Sequence, residues 1–136
     1  MILDGSNLVL GRLASFAAKK ALEGENITIV NCENIIVSSN KEFLLQHYKS
    51  KNERGHPYHG PFFPKMPDRI VRRTIRGMLP YKQERGRKAF KKIKCYLGIP
   101  VELQNKKVDA VKLPSSSKFK TLNYLKLNEI SKHLGK

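Results

Sequence analysis

The apolar positions at the start of the chain change period twice. Leu10, Leu13, Ala14, Ala17, Ala21 and Leu22 recur every three or four residues, which predicts a helix from Leu10 to Glu23 stopped by Gly24. Ile2 and Leu3 before it end a short strand, and Asp4, Gly5, Ser6 and Asn7 supply a turn. After it, Asn26 to Val30 carries the β-branched run Ile27, Thr28, Ile29, Val30, the mark of a buried strand. Strand, helix and strand within roughly thirty residues are the pattern of a βαβ unit with parallel strands.

A second β-branched patch spans Ile35 to Val37. Ser39 and Glu42 then have capping-box spacing, and a helix is predicted from Asn40 to Ser50 with Phe43, Leu44 and Tyr48 behind the cap. Residues 51–67 read KNERGHPYHGPFFPKMP, where four prolines alternate with Gly55 and Gly60 and forbid regular structure, so an extended loop is expected. A loop of that length inside a compact domain is generally functional or ordered by a partner. Pro67 suits the first turn of the next helix, which Pro80 ends. On it Ile70, Val71, Ile75, Met78 and Leu79 can face a core while Arg69, Arg72, Arg73 and Arg76 form an opposite stripe. A further basic helix from Gln83 to Lys92 buries Ala89 and Phe90, followed by a strand over Ile93 to Leu97. Pro114 to Ser117 reads as a linker, Thr121 to Leu127 as strand-like, and Asn128 as the cap of a last helix ending near Leu134 and Gly135.

The arginine stripe changes the picture from fold to chemistry. Four guanidinium groups at i, i+3, i+4 and i+7 repel one another, so the pattern makes physical sense facing a polyanion. The net charge of +16 is also localised: residues 1–40 sum to −1, residues 41–99 to +12 and residues 100–136 to +5. Mixed signs would suffice for solubility alone. Arginine pairs bidentately with phosphate and stacks on bases, so an arginine helix beside an aromatic loop and a lysine-rich helix suits folded RNA held by shape. A helix that reads the DNA major groove would mix Asn, Gln or Ser among its basic residues, and this one does not.

Other chemistries find less support. Gly5 and Gly11 fail the phosphate-loop pattern, because five residues separate them and Leu13 replaces the hydroxyl residue. His47, His56 and His59 lack cysteine partners at metal-ligand spacing, and no metal or other cofactor is expected. No tight carboxylate pair or G-x-S-x-G serine marks a catalytic centre. Cys32 and Cys95 read as small thiols in apolar strands rather than a disulfide framework. No apolar run reaches the roughly 18 residues that span a bilayer, and one α/β domain is expected over 1–136.

At GPFFP (Gly60 to Pro64) and RRTIRGMLPYKQERGRKAFKKIKCYLGIP (Arg72 to Pro100), the sequence closely resembles the universal large-subunit ribosomal protein thirteen family in its archaeal and eukaryotic form. DGSNLVLGRLAS (Asp4 to Ser15) and ITIVNCE (Ile27 to Glu33) resemble that family's opening βαβ segment. The resemblance is strong over about residues 1–100 and weak beyond Val101, apart from an ending around Asn128 to Gly135. It implies a three-layer α/β/α sandwich around a small, mainly parallel sheet of about four strands, with a basic helix-loop extension. It also implies that Arg72, Arg73, Arg76, Gly77, Lys82, Arg85, Gly86 and Arg87 face large-subunit rRNA, the two glycines letting backbone approach phosphate. Arg69, Lys88, Arg54, His59 and Lys65 complete the expected RNA-binding set. Neighbouring large-subunit proteins are expected partners; a membrane, a small-molecule substrate and a homo-oligomer are not. The alternatives are an RNA-binding regulator and an RNA-modifying enzyme with a pocket at the carboxyl ends of its strands.

Overall fold

The computed structural model of the protein describes residues 1–109, 111–120 and 122–135. Its elements run β1 (Ile2–Asp4), α1 (Leu10–Leu22), β2 (Ile27–Val30), β3 (Ile36–Ser38), α2 (Lys41–Glu53), α3 (Pro67–Gly77), α4 (Glu84–Lys91), β4 (Ile93–Cys95), β5 (Tyr124–Lys126) and α5 (Leu127–His133). β1, α1 and β2 are the anticipated βαβ unit, with Leu3 opposite Ile29 in a parallel pair. β4 joins the other side of β2, also parallel, to give the order β1-β2-β4. The small, mainly parallel sheet of an α/β fold is therefore present. Its strands differ in number and grouping from the expected four or so, because β3 and β5 pair antiparallel in a sheet of their own.

The separation of β3 has a local cause. Asn31, directly after β2, takes the left-handed conformation (φ 55°), and a single 3-10 turn over Cys32–Asn34 redirects the chain. Asn tolerates that conformation better than most residues, and its Nδ2 donates to Asp4 Oδ1 at 3.0 Å, which fixes the turn against the end of β1. Alternation along the strands then sorts the two faces of the parallel sheet. Leu3, Ile27, Ile29 and Ile93 are buried in one core with the α1 stripe and with Ile70, Val71 and Ile75 of α3. On the other face Ile2, Thr28 and Lys94 share a register level and are half-buried or exposed.

The late segments are tied more closely than their composition suggests. Asp109 flanks β1: its N–H donates to the Ile2 carbonyl and its Oδ2 accepts from the Ile2 N–H, both at 2.9 Å. Pro114 to Ser117, read as a linker, instead docks on the α1 entry, with Val9 N–H donating to the Pro114 carbonyl and Ser116 N–H to the Asn7 carbonyl. α5 starts at Leu127 rather than after an Asn128 cap, because the Leu127 N–H is spent on the Ile35 carbonyl and its side chain is fully buried. β5 is shorter than the stretch from Thr121, a residue outside those described. The two cysteines are free but adjacent, and the neighbouring Cys95, together with burial, keeps the Cys32 thiol protonated far above its ordinary range.

Two local corrections lead to measurements. α2 is capped by Asn40, whose Oδ1 accepts the Glu42 N–H at 3.3 Å, so Ser39 and Glu42 form no capping box and the helix extends to Glu53. Asn40→Ala should lower stability by about 1 kcal/mol in denaturant titration while Ser39→Ala changes little. Gly86 is buried, and a Cβ there would collide with the Pro80 carbonyl and lie 2.8 Å from Tyr81 N. Gly86→Ala should therefore cost about 1 to 3 kcal/mol, the usual range for overpacking, measured by thermal or chemical unfolding.

Candidate nucleic-acid interface

α3 is amphipathic because its two residue classes fall on opposite sides of the helix. Pro67, Ile70, Val71 and Ile75 are buried, and the helix packs on α1 and β4. Arg69 and Arg72 are consequently exposed, with Arg73 and Arg76 half-buried beside them. All four, with Pro64 and Phe90, line one open cleft of about 300 Å³.

Aromatic rings hold three of these guanidinium groups. Arg72 Cζ lies 4.9 Å from the Phe90 ring centroid, Arg73 Cζ 4.9 Å from that of Phe63, and Arg76 Cζ 5.2 Å from that of Tyr81. Arg73 Nη1 also donates to the Phe62 carbonyl at 3.4 Å. Each cation–π contact at an exposed site contributes about 0.5 to 1 kcal/mol, enough to offset the like-charge repulsion of about 0.2 to 0.5 kcal/mol per neighbouring pair. Ring packing also restricts the rotamers, so the groups are partly ordered before any anion arrives. Among the described residues, the four ion pairs all use lysines: Lys20 with Glu23 and with Glu25, Lys49 with Glu53, and Lys88 with Glu84. The α3 arginines thus take part in no ion pair among the described residues.

The other residues of the expected set scatter around this cleft. Lys65 is exposed on the loop entering α3, and Lys82 and Arg87 are exposed on the turn after α3 and on α4. Lys88 is exposed but paired with Glu84 at 2.7 Å. Arg85 lines clefts on the α1 side, beside Lys19, Leu22 and Glu23, away from the arginine cleft. Gly77 ends α3 in open space, where a Cβ would meet nothing within 4 Å. Gly86, by contrast, is consumed by internal packing against Pro80 and offers no free surface to a phosphate.

The loop before α3 is shorter and more ordered than its prolines suggest. Lys51 to Glu53 complete α2, Arg54 follows as its C-terminal cap, and residues 54–66 remain irregular. Within them the His56 N–H donates to the Gly60 carbonyl at 3.0 Å and the Gly60 N–H to the His56 carbonyl at 2.8 Å, closing a small hairpin that exposes Arg54, His56 and His59. Phe63 is half-buried against the core and meets Tyr48 edge-on at 5.9 Å, so it anchors the loop. Nearby His47 stacks on Phe43 at 5.6 Å; burial, and then the Lys51 and Arg54 charges, hold its pKa below the usual imidazole range. The rings under the arginines were hidden in the sequence, since Phe90 meets Arg72 only through the packing of α4 near α3.

The carboxyl ends of the parallel strands carry a different arrangement. Asp4 Oδ1 accepts the Ser6 N–H at 2.9 Å and Asn31 Nδ2 at 3.0 Å; burial pushes its pKa up, but these bonds outweigh it and leave the carboxyl below its ordinary value. Glu33 accepts the Gly98 N–H through both oxygens, at 3.0 and 3.2 Å. These acidic groups tie turns together. Among the described residues no group of three or more His, Cys, Asp or Glu could hold a metal ion, and no helix is long and apolar enough to cross a membrane.

Comparison with known proteins agrees with this geometry. The family model described as Ribosomal protein L13 matches residues 1–102. The large ribosomal subunit protein uL13 of Methanosarcina barkeri is 45% identical over 98% of this chain and 96% of its own. The uL13 proteins of Methanocaldococcus jannaschii (44% identical, covering 98% and 96%) and Archaeoglobus fulgidus (41%, covering 98% and 86%) are similar too. The similarity therefore continues through nearly all of the segment after residue 102, where the motifs alone had faded. A basic, aromatic-backed cleft on an α/β fold and near full-length similarity to three uL13 proteins converge, and the chain belongs to the ribosomal protein L13 family.

Proposed function

We propose that this chain is a structural constituent of the large ribosomal subunit in the cytoplasm, acting as one domain over 1–136 that binds and organises folded large-subunit rRNA without catalysis. The observation that carries the reading is the arginine cleft, three of whose four guanidinium groups are ordered by rings and none of which is in an ion pair among the described residues. Folded RNA brings phosphates from separate strands close together, and fixed cations between them relieve that repulsion. Arg69, Arg72, Arg73 and Arg76 take phosphates in the cleft. Lys65, Lys82, Arg87 and Lys88 extend the contact along the loop and α4, with the backbone at Gly77 open to close approach. Arg85 on the α1 side, and Arg54 and His59 on the hairpin, reach further rRNA segments. Neighbouring large-subunit proteins meet what remains of the surface.

Replacing Arg72 and Arg73 together by Glu should weaken binding to large-subunit rRNA by about 1 to 3 kcal/mol for each good contact, if the range for base contacts in protein–DNA complexes carries over. Filter binding or calorimetry reads the loss, and unchanged affinity would remove the cleft from the interface. For the unaltered protein, the logarithm of affinity should fall against the logarithm of salt by about 0.7 to 0.9 per phosphate contacted, and a flat dependence would contradict the electrostatic reading. The depressed pKa of His47 supplies a third measurement. Its neutral form is favoured in the folded protein, so this group contributes stability above its unfolded pKa that is lost as pH falls through the folded one. Burial is the larger cause of the depression and persists, but phosphate near Lys51 and Arg54 offsets the part due to their charges, so the His47 titration followed by NMR should move upward when rRNA binds.

A further inference from the structure

The hairpin at Gly55–Gly60 presents aromatic rings that neither the core nor the arginine cleft uses. Tyr58 is 86% exposed and Phe62 72% exposed, while Phe63 beside them is packed inward. The hairpin is held in this shape by short-range constraints. Two backbone bonds join His56 and Gly60, the His59 N–H donates to the His56 carbonyl at 3.2 Å, and the Tyr58 N–H donates to His56 Nδ1 at 3.2 Å. Gly55 sits at φ 106°, where a Cβ would lie 2.6 Å from the Gly60 carbonyl, so the two arms meet at glycine backbone. The Phe62 ring rests beside Gly60, and the His56 ring lies 5.5 Å from Tyr58 and 5.4 Å from His59. The result is a closed turn that carries the exposed faces of Tyr58 and Phe62.

Its surroundings select the partner. Lys51, Arg54 and Lys65 flank the turn, and the nearby carboxylate, Glu53, is paired with Lys49 at 3.9 Å. Arg73 joins the hairpin base to the cleft, lying over Phe63 and donating to the Phe62 carbonyl. Aromatic faces with cations beside them, continuous with a phosphate-binding surface, are the elements of single-stranded nucleic-acid binding, in which bases stack and phosphates pair. We propose that Tyr58 and Phe62 each stack on an unpaired nucleobase of rRNA splayed out next to the segment held by the arginine cleft. This rests on the ribosomal reading above and adds to it a base-contacting edge.

The test compares Tyr58→Ala/Phe62→Ala, Tyr58→Phe and Arg72→Glu with the unaltered protein for affinity to large-subunit rRNA from the source cells, across a salt series. Stacking releases no counterions, so the double alanine variant should bind at least about 30-fold more weakly with an unchanged salt slope, whereas Arg72→Glu should flatten the slope. Tyr58→Phe keeps the ring and should keep the affinity. Ultraviolet irradiation of isolated large subunits should place a nucleotide adduct on Tyr58 or Phe62, found by mass spectrometry. Full affinity in the double variant would overturn the proposal while leaving the cleft intact. So would a loss in Tyr58→Phe equal to that of the double alanine variant, or attachment of the hairpin to a neighbouring protein instead of RNA. A failure of Arg72→Glu to alter binding at all would instead count against the cleft. All the substitutions lie at three exposed side chains, Tyr58, Phe62 and Arg72, and matching thermal unfolding of the variants excludes misfolding as the cause of any loss.

Discussion

The seating of α3 on α1 and β4 constrains everything that faces outward. Ile75 and Val71 are fully buried and Ile70 nearly so, which fixes the rotation of the helix about its own axis. Rotating the helix to retract the arginines would expose those three side chains, each a loss of about 1.5 to 3 kcal/mol. The positive stripe is thus held out by burial on its opposite side. Phe90, Phe63 and Tyr81 then limit where each guanidinium goes, and they belong to α4, the incoming loop and the turn after the helix.

Cations on this surface divide by residue type. Lysines close ion pairs with Glu23, Glu25, Glu53 and Glu84, and Lys92 Nζ donates to the Gly24 carbonyl at 2.9 Å. Arginines in the cleft lean on rings instead. A compact ammonium suits a single acceptor, while a planar guanidinium can stack on one side and still present its edge to phosphate. Arginine in the cleft is therefore not interchangeable with lysine.

Much of the fold was legible because it follows from periodicity. The α1 stripe, the β-branched β2 run and the proline start of α3 all express local rules, and the structure places them within a few residues of expectation. What the sequence concealed depends on distant partners. β3 pairs with β5 across most of the chain, and Asp109 reaches β1, connections that no window of neighbouring residues contains. Ser39 resembled a cap by spacing, but Asn40 was nearer the start of the helical backbone and its carbonyl reached Glu42 N. In the candidate interface the stripe on α3 could be read directly. The rings behind it and the internal duty of Gly86 required the packing of α4 against the preceding turn.

The β3–β5 pair also orders events during synthesis. Val37 faces Leu125, so a growing chain carries β3 without its partner until β5 has left the tunnel of the ribosome that makes it. β1 likewise waits for Asp109, and β2 for β4, before either side is closed. Contacts of such sequence separation slow folding and prolong the exposure of unpaired strands. Emergence of β5, rather than of the first strands, is therefore the earliest moment at which the antiparallel pair can close.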